Sequence, residues 1–239
     1  MIYCHLIYIN DVNSFAVFYT CKLRLLSISL TSNTYIMRII SIVSQKGGAG
    51  KTTLTINLAV AAMTSEAKVT IIDLDPQATA ANWGDRRQAE IPNIISAQAA
   101  RLPQLLKQLN PKTHWVFIDT PPAISNTTMV AIRAADSILV PCRAAIFDLD
   151  TLGATLELVQ MVQKDATVVL NAIPHRGQDA EEAKAVIADY GVAIAPVTVG
   201  QRAAFQHAAT IGLGAVEYEP NSKAASEINA LFDWLHTTT

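Results

Sequence analysis

From Met37 onward, short runs rich in Ile and Val alternate with longer stretches whose apolar residues recur at helical spacing. Runs of this kind suit strands buried on both faces, and their alternation with helices is the pattern of βαβ units. It predicts strands over Arg38–Ser44, Lys68–Leu74, Trp115–Asp119, Ser137–Pro141, Thr167–Asn171 and Val192–Val197, with a further short strand near Asn93–Ala97. Helices are predicted over 52–64, 78–89, 101–109, 125–134, 148–164, 178–189, 201–209 and 222–236. The expected fold class is α/β, three layers (α/β/α) around a mostly parallel, twisted central sheet. Neither a repeat nor a low-complexity linker interrupts 37–239, which reads as a single domain. Right-handed crossovers would bring the strand C-termini to one edge, where open α/β sheets bind their ligands.

Residues 1–36 read differently. They hold no Gly or Pro but six aromatics, Tyr3, Tyr8, Phe15, Phe18, Tyr19 and Tyr35. At Met37 the text changes abruptly to MRIISIVSQKGGAGKTT, a strand running into a glycine loop. The expectation is that Met37 is the true start and that 1–36 is an upstream translation or a dispensable extension. The alternative is a genuine N-terminal strand or interaction arm.

Composition narrows the function classes. The formal charge of −2 gives no chain-wide basic field for nucleic acid, so any contact with DNA would be a local patch. Cys4, Cys21 and Cys142 form no CxxC pair, which argues against a zinc site or disulfide framework and for a reducing cytoplasm. Lys22 and Arg24 interrupt the only candidate for a long apolar span, between Phe15 and Leu30, so no membrane-crossing helix is expected. No basic residue precedes Lys22 to open a signal peptide.

The chemistry begins at Lys46-Gly47-Gly48-Ala49-Gly50-Lys51-Thr52-Thr53, between the first strand and first helix of this domain. Glycines let backbone N–H groups converge on phosphate oxygens, and the helix adds its positive N-terminal end. In a loop of this kind Lys51 reaches the β- and γ-phosphates of ATP and the Thr52 hydroxyl ligates Mg²⁺. The apolar run Trp115-Val116-Phe117-Ile118 then ends in Asp119, placing a carboxylate where it can bind Mg²⁺ through water.

The general loop pattern has Gly where Gln45 stands, and the lysine at the head of KGGAGKTT is its deviant form. With Asp73-Leu74-Asp75-Pro76-Gln77 and Asp119-Thr120-Pro121-Pro122 following in order, the chain resembles the ParA/MinD family of P-loop ATPases from Arg38 to about Leu235, most strongly in the first half. The resemblance implies that Asp75 orients the attacking water, while Asp73 holds its loop and the metal's water shell. It implies that Lys46 reaches the nucleotide of a second subunit, giving an ATP-dependent homodimer. Short length and the text around Asn82-Trp83 look most like the small ParF-type plasmid partition proteins. Those act on nonspecific DNA with a ParB-like centromere-binding partner, which implies a nucleoid-associated location.

Further nominations are Asn171, as an adenine contact or simply a turn former, and Arg202, Arg176 and Lys223 as DNA contacts. A MinD-like membrane-cycling ATPase is one rival reading. Against it, Ile228, Leu231, Phe232 and Leu235 form a stripe backed by Glu227 and Asp233, with no Lys or Arg after Lys223. The other rival is a metabolic enzyme on the same scaffold. A dethiobiotin-synthetase-like ligase would need a substrate motif that is not found, and a nitrogenase iron protein needs cluster cysteines that Cys142 alone does not supply.

Overall fold

The structure, a computed structural model, describes residues 8–11, 14–21, 24–30, 37–63, 67–123, 125–175 and 179–239. The chain divides into two compact units, 1–36 and 37–239. In the first, β1 (Tyr8–Asp11), β2 (Ser14–Cys21) and β3 (Arg24–Leu30) pair antiparallel in sequence order.

The second unit is built on seven strands: β4 (Arg38–Ile42), β5 (Lys68–Asp73), β6 (Asn93–Ser96), β7 (Thr113–Asp119), β8 (Ser137–Cys142), β9 (Thr167–Leu170) and β10 (Ala193–Ile194). Their order is β10-β9-β8-β4-β7-β5-β6, and every pairing is parallel. Successive side chains on a strand point to opposite faces, so β4 and β7 each feed both layers. Ile40, Ile42, Trp115 and Phe117 pack on one side with α1 (Lys51–Ala61), α7 (Ala203–Thr210) and α9 (Lys223–Thr238). Ile39, Val116 and Ile118 face the other way, onto α3 (Leu102–Gln108) and α4 (Asn126–Ala134). Val43 and Val140 complete that second layer with α5 (Ile146–Met161) and α6 (Asp179–Asp189). Phe117 lies at the centre with no exposed surface, where truncation to Ala would cost about 3–5 kcal/mol.

The observed elements follow the expected α/β/α plan with local differences. The edge strand predicted over Val192–Val197 is only two residues long, Ala193–Ile194. Ala195 N still donates to Val168 O, but Pro196 has no N–H to offer, and pairing resumes at Val199 N to Leu170 O. The helix predicted to reach residue 89 is α2 (Thr79–Asp85), which stops where Arg86 and Arg87 turn to other partners. A short helix, α8 (Ala215–Tyr218), was not expected from the pattern. In α9 the Ser222 hydroxyl accepts from Ala225 N as N-cap, while Ile228, Leu231 and Leu235 are buried against the core. Its apolar stripe is thus used internally. Among the described residues no helix is long and apolar enough to cross a membrane.

Candidate active site: the phosphate loop and its carboxylates

Four strand ends converge at one sheet edge. The loop after β4 carries Lys46 to Gly50, β5 ends in Asp73, β7 ends in Asp119, and Asn171 follows β9. Gly48 and Gly50 have φ of 77° and 94°, left-handed values that bend the loop and that a side chain would strain. Helix α1 begins at Lys51, directing its first free N–H groups at the loop. A recess of about 200 Å³ is lined by the loop glycines, Lys51, Thr52, Thr53, Asp75 and Pro122.

Lys51 is buried, and its Nζ donates to Lys46 O at 3.3 Å. Burial lowers its pKa, opposed by the charges of Asp119 and Asp75. Asp119 is fully buried; its Oδ2 accepts from Thr52 Oγ1 at 2.6 Å and its Oδ1 from Thr55 Oγ1 at 3.5 Å. Loss of water, only partly offset by the Thr52 hydroxyl, pushes that carboxyl up to about 7. A buried carboxylate so reluctant to ionise is one that a divalent cation would suit. Among the described residues no cluster of three or more His, Cys, Asp or Glu could cage a metal by itself. Mg²⁺ needs no such cage, being held in general by one or two protein groups together with nucleotide phosphates. Thr52 and Asp119 stand together at the edge of the recess, a hydroxyl and a carboxylate that could hold such an ion.

Asp73 and Asp75 do different work. Burial raises the pKa of Asp73, and backbone N–H groups pull it back: Oδ1 accepts from Asp75 N and Oδ2 from Ala81 N, both at 3.0 Å. Asp73 therefore pins both ends of the loop that carries Asp75, and it stands directly across from Asp119 on the neighbouring strand. Asp75 is half-buried at the rim of the recess, and its Oδ1 accepts from Gln77 N at 2.9 Å. A wider cleft of about 750 Å³ opens beyond it, bounded by Ile95, Arg101 and Leu105. The smaller recess is the one in which a buried cation, a hydroxyl and a carboxylate meet.

Asn171 has a bond that neither sequence-based alternative anticipates. It is buried, and its Nδ2 donates to Ala49 O at 2.8 Å, bracing the phosphate loop. A Cβ on Gly50 would lie 2.1 Å from that nitrogen, so the glycine is required for contact as well as for φ. Gln45 N donates to Thr155 Oγ1 at 3.4 Å, while its side-chain Nε2 is buried without a partner. Of the nominated DNA contacts, Lys223 is exposed and Arg202 is ion-paired with Glu227; Arg176 lies outside the described residues. Thr55, Asn57 and Thr155 were missed. Asn57 left a signal, a lone amide within the apolar stretch Leu54–Val60, and it is buried with Nδ2 donating to Thr53 O at 2.8 Å.

The family profile described as "CobQ/CobB/MinD/ParA nucleotide binding domain" matches residues 40–212. The chain belongs to this family. It is a P-loop ATPase of the ParA/MinD type. Among relatives, Maintenance of carboxysome distribution protein A of Gloeobacter kilaueensis is 28% identical over 195 residues, covering 80% of this chain and 89% of that protein. Chromosome partitioning protein ParA of Myxococcus xanthus is 27% identical over 168 residues, covering 53% of this chain and 59% of its own length. The fold matches septum site-determining protein MinD of Pyrococcus horikoshii, complexed with Mg-ADP. The TM-score is 0.73 at 23% identity, over 85% of this chain and 97% of that one.

Proposed function

We propose that this ATPase is a ParA-type positioning motor whose ATP-bound homodimer binds nonspecific DNA and is returned to monomers by partner-stimulated hydrolysis. The observation that carries this reading is the recess that joins Lys51, Thr52 and Asp75 to a loop headed by Lys46. Lys51 and the loop amides hold the phosphates. Asp75, kept at the rim by Asp73, orients water toward the γ-phosphate. Thr52 and Asp119 would hold Mg²⁺, which when bound would supply positive charge to the phosphate oxygens. The oxygen of the Asn171 side chain, left free by the bond its nitrogen makes, is available to accept from the adenine amino group. Lys46 delivers a cation to the partner subunit's nucleotide, an effect worth ~10³–10⁵ in rate when an arginine supplies it.

The DNA surface is assigned to a local patch including Lys223, and the partner to a ParB-like DNA-binding protein. The segment 37–239 carries all of these functions, with 1–36 dispensable to them. Light scattering with Mg-ATP tests the assembly step: wild type should dimerise and Lys46→Ala should stay monomeric while still binding nucleotide. An equal dimer in both would remove Lys46 from the cycle. DNA binding should require ATP and fall steeply with salt.

A second reading keeps the same cycle but assigns a protein cargo in place of plasmid DNA, favoured by the match to carboxysome distribution proteins along 80% of the chain. Plasmid loss on deletion of the gene supports the first cargo. Normal plasmid retention with clustered protein compartments supports the second.

A further inference from the structure

Residues 209–217 form a corner between α7 and α8 that touches α1 and α2 at once. Gly212, at φ 72°, lies against backbone: a Cβ there would be 2.6 Å from Arg86 C and Arg87 N, just past the end of α2. Gly214 is wedged on the other side, where a Cβ would be 2.9 Å from the Val60 side chain in α1. Polar bonds fix both contacts. Trp83 Nε1 donates to Leu213 O at 3.1 Å and Arg86 Nε to Ala209 O at 3.2 Å. Ala215 N donates to Asn57 Oδ1 at 2.8 Å, tying the corner to α1 within two turns of Lys51.

Arg87 is the hub of this arrangement. Its side chain is 2% exposed, and it donates to Ile91 O (2.6 Å), Gly212 O (3.0 Å) and both oxygens of Glu217 (2.8 and 2.6 Å), with Trp83 beneath it at 5.1 Å. Glu217 in turn accepts from Gly214 N at 3.0 Å. A planar fork holding this many acceptors cannot be replaced by a point charge. Asp73 pins the Asp75 loop at both ends, through Asp75 N and Ala81 N, and the Arg87 corner holds the far end of α2, the helix that continues from that loop. The same corner is fastened to the helix that carries the phosphate loop.

We propose that Arg87 is a positioning residue for ATP hydrolysis: through Glu217 and the 209–217 corner it locks the Asp75 loop and the phosphate-loop helix into one rigid frame. This rests on the reading of Asp75 as the water-orienting group. The frame sets where Asp75 stands relative to the phosphates, not how tightly the phosphates are held.

The test compares Arg87→Lys and Glu217→Gln with wild type for Mg-ADP affinity by calorimetry and for kcat in steady-state ATPase assays, with folding followed by thermal melts. Both variants should bind Mg-ADP within about twofold of wild type while kcat falls, about ten- to a hundredfold for Arg87→Lys, as expected of a reacting group displaced by about an ångström. Unchanged kcat in folded Arg87→Lys overturns the proposal, as does a loss confined to affinity. Asp75→Ala is the control: if it hydrolyses ATP normally, the reading of Asp75 fails. If it stalls while Arg87→Lys turns over normally, the positioning role alone fails. Should Arg87→Lys not fold, hydrogen exchange of wild type decides. Mg-ATP should then protect 79–85 and 209–217 together, and protection confined to the loop would overturn the proposal.

Discussion

Asn171→Ala separates a brace of the phosphate loop from a reader of the base. The substitution removes the Nδ2 bond to Ala49 O and leaves that carbonyl buried in a residue 1% exposed. A buried acceptor stripped of its donor costs about 1–3 kcal/mol. If that cost falls on the phosphate-binding conformation of the loop, affinity drops about 5- to 150-fold, at 1.4 kcal/mol per factor of ten. Calorimetry with Mg-ADP, Mg-GDP and inorganic tripolyphosphate is the assay. Tripolyphosphate has no base, so a brace predicts that it weakens along with the nucleotides, with any extra loss for ADP measuring contact to adenine. If tripolyphosphate binds the folded variant as it binds wild type, the bracing argument is wrong.

Three further outcomes are expected. Gln45→Met removes the buried unpartnered Nε2 and keeps the side-chain volume, so chemical denaturation should show stability unchanged or raised by about 1 kcal/mol; a loss of that size would mean the amide has a partner. Glu217 is held below its ordinary pKa because Arg87 and Gly214 N outweigh its burial, so its contribution is present above the free carboxyl range and is lost as pH falls through the depressed value. Glu217→Gln should therefore flatten the acid side of the stability profile, and a parallel profile would contradict the pairing. Burial pushes the Cys142 thiol up to about 12, so peptide mapping after alkylation at neutral pH should find it unmodified in folded protein and labelled after denaturation.

Much of this architecture was legible because its signals are local. Ile39 and Ile40 face opposite layers, which is why a continuous apolar run such as Arg38–Ile42 reads as a strand covered on both sides. Gly48, Gly50, Lys51 and Thr52 are readable because phosphate binding demands those residue types in a fixed spacing after a strand. The short span of β10 was harder: Pro196 interrupts an edge ladder that resumes at Val199, and apolar content does not register that break. Arg87 and Glu217 stand 130 positions apart, so nothing in either neighbourhood announces their pairing. Asn171 was singled out for its place at a strand end, but which group its amide meets is decided by the fold, since Ala49 lies 122 residues away. Arg202, nominated as a DNA contact, has Glu227 beside it on α9, again a partner that only tertiary structure supplies.

The central claim is that the loop after β4 and Lys51 clasp a nucleotide triphosphate beside Thr52 and Asp119. Isothermal titration of the purified chain with a non-hydrolysable ATP analogue in magnesium buffer tests it most directly, with Lys51→Ala alongside. The account predicts saturable heat at about one ligand per chain in wild type and none in the variant, whose melting shows it folded. Equal binding by both, or no heat from well-folded wild type, would contradict it.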